Sequence, residues 1–164
     1  MIIDGVELNF PDQWIVSKYD NWAYYRNQFQ KIADGQKAVD ILAIDTIEKI
    51  LWLIEIKDYR NHRRTKLINL ALEVALKTRD TLAGVFAAKY IAGISEEKDT
   101  AKKCLSVKKI KVALHIELPD NNSKLFPNSN YLTNLKMDLK SKIKAIDPHP
   151  VVVSRGINRN KVKW

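Results

Sequence analysis

Ala38-Val39-Asp40-Ile41-Leu42-Ala43-Ile44, then Asp45-Thr46-Ile47-Glu48-Lys49, then Ile50-Leu51-Trp52-Leu53-Ile54-Glu55-Ile56-Lys57 is the stretch on which the reading of the fold turns. The two outer runs are short, apolar and rich in β-branched residues, so each reads as a strand buried on both faces, and the polar residues between them suffice for a turn. Together they predict a hairpin. Alternate residues of a strand share a face, so Glu55 and Lys57 point to one side of the sheet and Ile56 to the other. With the turn near Glu48, Asp40 lies opposite a residue close to Glu55 or Ile56, and two carboxylates and an ammonium meet at one end of the hairpin. Burying charge is expensive unless the charge is partnered or has work to do. Hard oxygen ligands suit Mg²⁺ or Mn²⁺, which hold one or two protein carboxylates and fill their other positions with water and phosphate. A lysine beside such a centre can orient water or stabilise negative charge at phosphorus.

Outward from the hairpin, Leu67, Leu70, Ala71, Val74, Ala75, Leu82, Val85, Phe86 and Ala87 mark a long amphipathic helix over Lys66 to Ile91, with Gly84 as a weak point inside it. A charged linker follows. Ile110 to Leu118 then predicts a strand stopped by Pro119-Asp120-Asn121-Asn122, Tyr131 to Ile146 a helix, and Val151-Val152-Val153 a last short strand. Upstream, Asp12 to Tyr25 reads as a short or irregular helix, and Phe29 to Ile32 as a first strand ending in the turn pair Asp34-Gly35. The order implies an α/β protein: a mixed β-sheet flanked by helices. One domain over 1–164 is expected, with 147–164 a basic C-terminal strand and tail.

The 164 residues carry 28 Lys plus Arg against 19 Asp plus Glu, a formal charge of +9. Five Gly, five Pro and one Cys beside 46% hydrophobic residues exclude collagen, low-complexity disorder and a disulfide scaffold. The N-terminus is acidic where a signal peptide is basic, and no apolar run approaches the roughly 20 residues that span a bilayer, so a cytoplasmic protein with no membrane partner is expected. His62, His115 and His149 lack metal-ligand spacing, the serines lack a nucleophile-elbow context, and there is no phosphate-binding Gly-rich loop. Charge is uneven: five Lys/Arg against nine Asp/Glu through Ile56, then 23 against 10 from Lys57 onward. Such a field attracts polyanions, although solvated helix faces look the same in sequence. Arg60, Arg63, Arg64 and Lys66, with Tyr59, directly follow the charged strand and are candidates for gripping a nucleic-acid backbone. Arg155, Arg159, Lys161, Lys163 and Trp164 form a candidate basic arm.

Val39-Asp40-Ile41-Leu42-Ala43 and Leu53-Ile54-Glu55-Ile56-Lys57, with fourteen residues between Asp40 and Glu55, resemble the signature of the PD-(D/E)xK nuclease superfamily. The resemblance implies a restriction-endonuclease-like αβββαβ core, with Asp40 and Glu55 as metal carboxylates, the Ile56 carbonyl as a further ligand and Lys57 as the catalytic lysine. It implies a Mg²⁺- or Mn²⁺-dependent endonuclease, a phosphodiester hydrolase acting on DNA more than RNA, in a family whose members often act as homodimers. The sequence departs from the pattern in having Val39 where many members have Pro. No Glu falls in Asp12 to Tyr25, where Asp12 or Asp20 could substitute as an accessory ligand. Glu73 and Lys77 either face the site or form a surface pair one helical turn apart. The alternative to catalysis is a non-catalytic nucleic-acid-binding module, or a subunit of a larger restriction, defence or repair complex.

Overall fold

The predicted hairpin forms. In the computed structural model, which describes residues 1–33, 35–62, 64–119, 127–155, 157 and 162–164, β4 (Ile41–Asp45) and β5 (Ile50–Asp58) pair antiparallel with Ile41 opposite Ile54 and Asp45 opposite Ile50. Asp45 Oδ1 closes the turn by accepting from the Ile47 and Glu48 amides, and Lys49 takes a positive φ of 55°. The chain begins with a small hairpin, β1 (Ile2–Ile3) and β2 (Val6–Glu7), turned by Asp4 and Gly5 at positive φ. β3 (Trp14–Lys18) joins β4 antiparallel, and β6 (Lys109–Glu117) and β7 (Val151–Val153) extend the sheet parallel to β5. The order β3-β4-β5-β6-β7 makes a five-stranded mixed sheet, as expected.

The helices are α1 (Ala23–Asn27), α2 (Leu70–Ile91), α3 (Ser95–Cys104) and α4 (Asn128–Ile143). Side chains of α2, α3 and α4 pack on the face carrying Leu42, Leu51, Leu53, Val112 and Leu114. The other face, with Ile41, Ala43, Ile54 and Ile56, holds a second core under Ile3, Val6, Leu8, Trp14 and Trp164. Both faces of β4 and β5 are therefore covered, which explains their nearly continuous apolar sequences. Asn69 caps α2 by accepting from the Leu72 amide at 3.0 Å.

Three expectations are corrected. Trp14 to Lys18 is an edge strand, because the β-branched and aromatic run Trp14-Ile15-Val16 pairs with β4, and of the helix expected over Asp12 to Tyr25 only the last three residues are α-helical, in α1, which runs on to Asn27. Phe29 to Lys31 is a 3₁₀ turn rather than a strand, stabilised by burial of Phe29. The charged linker contains α3, whose acidic first turn and basic last turn suit the helix dipole. A short helix between the first two strands of the sheet departs from the αβββαβ order, so the mixed α/β sheet stands while the restriction-endonuclease-like arrangement is not established. Asp34 of the predicted turn and Asp120 to Asn122 lie outside the described residues. No helix among the described residues is long and apolar enough to cross a membrane.

A carboxylate and lysine centre between two basic clefts

Leu51, Leu53, Glu55 and Lys57 alternate along the helix-facing side of β5, so the row that begins as core ends as charge. Glu55 is fully buried. Its Oε1 accepts from Lys57 Nζ and, at 2.5 Å, from Lys77 Nζ of α2, while Oε2 is buried without a hydrogen-bond partner. Asp40 joins from the residue before β4: its Oδ2 accepts from the Ile56 amide at 2.7 Å and its Oδ1 lies 3.9 Å from Lys77 Nζ. Lys57 Nζ also donates to the Ile56 carbonyl at 3.1 Å. The structure thus brings Asp40, Glu55, Ile56 and Lys57 together, and adds Lys77.

The electrostatics follow from burial. Desolvation pushes the Glu55 carboxyl up to about 7, Asp40 pushes the same way, and Lys77 and Lys57 oppose. Burial alone would lower the Lys57 ammonium, but Glu55 beside it leaves the net shift upward. Asp20 is raised, mainly by desolvation, and its Oδ1 is buried without a hydrogen-bond partner.

Glu73 is not the surface partner of Lys77. It is buried against the segment after β5, where Lys66 Nζ donates to Oε1 at 2.5 Å and Arg64 lies 2.7 Å from Oε2. Burial raises its carboxyl, and Lys66 and Arg64 override that to hold it at about 2. Arg64 also donates to the Ile68 carbonyl and to the Tyr59 hydroxyl at 3.3 Å. Arg60 is held elsewhere, paired with Asp58 at 2.6 Å and donating to the Gly5 carbonyl at 3.0 Å. Arg63, Arg159 and Lys161 lie outside the described residues.

Two clefts open around this centre. One, of about 570 Å³, is lined by the cations Arg26, Lys37, Lys66 and Lys77 and by the carboxylates Asp20, Asp40 and Glu73, a small excess of positive charge. The second, of about 400 Å³, sets Lys57, Arg64 and Lys66 against Asp4 and Asp58, beside Tyr59 and His62. Lys66 lines both.

Residues outside the motif hold Asp40 in place. Asp80 and Thr81 of α2 accept from the Lys37 and Val39 amides, each at 3.0 Å, and the Asp40 carbonyl accepts from the Tyr19 amide at 3.0 Å. Asp80 and Thr81 lie outside every motif of the sequence. Their signal was the recurrence of Glu73, Lys77 and Asp80 at helical spacing within an otherwise apolar face. His115 is packed on the opposite face, 2.9 Å from Glu117 Oε1.

No family model matches the chain, and no solved structure matches it. It is similar to a cysteine–tRNA ligase of Neisseria meningitidis serogroup A / serotype 4A, 38% identical over a match that covers 79% of this chain and 22% of the ligase. The chain thus spans about a fifth of the length of the curated relative it matches. That similarity overturns the expectation of an endonuclease or other phosphodiester hydrolase, because the relative is named for ligation to tRNA, and it lends the expected preference for DNA no support.

Proposed function

We propose that the chain is an RNA-binding domain serving an aminoacyl-tRNA ligase, with the RNA phosphate backbone received in the two clefts that meet at Lys66. The similarity to a tRNA ligase supports the nucleic acid. The matched stretch is 22% of that ligase, and the reading gives this stretch the holding of RNA within or beside the enzyme. The observation that carries the reading is Lys66, 60% exposed at its side chain, standing in both clefts with Arg26, Lys37 and Lys77 on one side and Lys57 and Arg64 on the other. Cations so placed neutralise phosphates and release the counterions condensed on the RNA, which supplies affinity without sequence preference. Glu73 fixes Arg64 and Lys66, so that less side-chain entropy is lost when a phosphate arrives.

The donor set also fits a hydrated Mg²⁺ or Mn²⁺. The unpartnered Glu55 Oε2 and Asp40 are hard oxygen donors, and water would fill the other positions, since no group of three His, Cys, Asp or Glu among the described residues could hold a metal ion. Bound there, the ion would supply positive charge toward a phosphate.

The test is binding of the protein to deacylated tRNA across a salt series. The expected result is a negative slope of log affinity against log salt, and a loss of about tenfold or more for Lys37→Glu/Lys66→Glu. Equal affinity of wild type and variant for tRNA would sink the reading.

A further inference from the structure

The parallel strands β5 and β6 carry the carboxylate centre at one end and a second basic surface at the other. A cleft of about 410 Å³ lies where they begin, lined in part by Lys108, Lys109, Lys111 and His149. Lys111 builds it: its ammonium donates to Asp147 at 3.1 Å and to the His149 carbonyl at 2.9 Å. Lys108 and Lys109 are exposed, and both their amides donate to the Lys49 carbonyl, at 2.8 and 3.3 Å, which draws the turn bearing Lys49 alongside. Lys103 stands in the last turn of α3, next to Cys104 of the cleft lining.

Among the described residues, Lys49, Lys103, Lys108 and Lys109 make no ion pair; Asp147, Asp99 and Asp45 are engaged by Lys111, Lys102 and Lys163, which leaves the exposed Glu48 beside Lys49 as a single opposing carboxylate against four ammonium groups. Four ammonium groups against one carboxylate, on segments that border one cleft, make a positive surface that attracts an anion. In the β5–β6 register this end is Ile50 opposite Lys109, and the centre is Lys57 opposite Ile116. Seven residues of strand separate the two ends by about 23 Å.

We infer that this surface is a second phosphate-binding site, engaging a further stretch of the same RNA that occupies the clefts at Lys66. The inference rests on the RNA-binding reading above and names a contact that the reading does not require. A bound RNA then touches both ends of the sheet, and its affinity depends on charge at a place remote from the carboxylate centre.

The experiment compares tRNA affinity over a salt series for wild type, for Lys103→Glu/Lys108→Glu/Lys109→Glu, and for Lys98→Glu/Lys136→Glu/Lys140→Glu, a control of equal charge change placed elsewhere. Circular dichroism confirms folding of each. The expected result is a salt slope shallower by about 2 and an affinity lower by about tenfold for the first variant, with a clearly smaller change in the control. Equal effects of the two triple variants, or no effect of the first, overturn the second site, and the Lys37→Glu/Lys66→Glu comparison still judges the first. Absence of any tRNA binding by the wild type overturns both.

Discussion

Glu55 sits where a period of two forced it. Its place in the row Leu51-Leu53-Glu55 put it inside, and inside it needed counter-charges. Lys57 was legible as one of them because it is two residues along the same strand face. Lys77 was legible only as one of two alternatives: from sequence it could neighbour Glu73 or turn inward, and what chose was Arg64 and Lys66 occupying Glu73. With its carboxyl raised from 4.5 to about 7, folded Glu55 binds its proton more tightly than the unfolded chain does, so its contribution to stability falls as pH rises through that window. A ¹³C NMR titration of the metal-free protein should place the Glu55 carboxyl near 7. Lys77→Met should move it higher, by removing a cation that lowers it, and Asp40→Asn should move it lower, by removing a charge that raises it. A midpoint indifferent to both substitutions would contradict the assigned centre.

Elements with a strong period were read correctly, and weak ones were decided by what they pack against. β4 and β5 carry continuous apolar runs, and α2 forms where its composition favours a helix, although its face differs from the expected stripe: Leu67 and Phe86 are exposed, while Glu73, Thr78, Asp80 and Thr81 are buried. Trp14 to Lys18 carries no such run; loosely spaced apolar residues fit a helix or a strand, and hydrogen bonding to β4 selected the strand. Gly84 is the clearest case of tertiary reason behind a local oddity. It interrupts α2 as an unfavourable residue, yet a Cβ there would stand 2.1 Å from the Tyr19 hydroxyl and 3.0 Å from the Phe29 ring. The helix accepts glycine so that these aromatic side chains can close on it. Gly84→Ala should therefore destabilise by about 1–3 kcal/mol through overpacking, despite a helix-propensity gain of about 1 kcal/mol. Tyr19→Phe should restore part of that loss in the double variant, because the Tyr19 hydroxyl is the nearest atom and is buried without a hydrogen-bond partner. Thermal melts of the four proteins measure both effects.

Across the whole molecule the sheet has a core on each face, and the two run through the same central strand. Leu53 belongs to the helix-covered core and Ile54 to the other, both fully buried. Leu53→Ala should cost about 2–5 kcal/mol in denaturant unfolding, whereas Ile47→Ala, at a turn position 69% exposed, should change stability by no more than about 0.5 kcal/mol. Similar losses for the two would mean that the central strand does not carry the fold. The sequence alone determined the hairpin, the meeting of Asp40, Glu55 and Lys57, the long helix and the basic character of the chain after Ile56. These follow from neighbours a few residues apart, from a period of 2 or 3.6, or from counting charges. Only the tertiary structure decided which cations neutralise which carboxylates, why α2 tolerates Gly84, and how the basic charge divides between two ends of one sheet. Those outcomes depend on contacts between segments distant in the chain, whose energies no local pattern records.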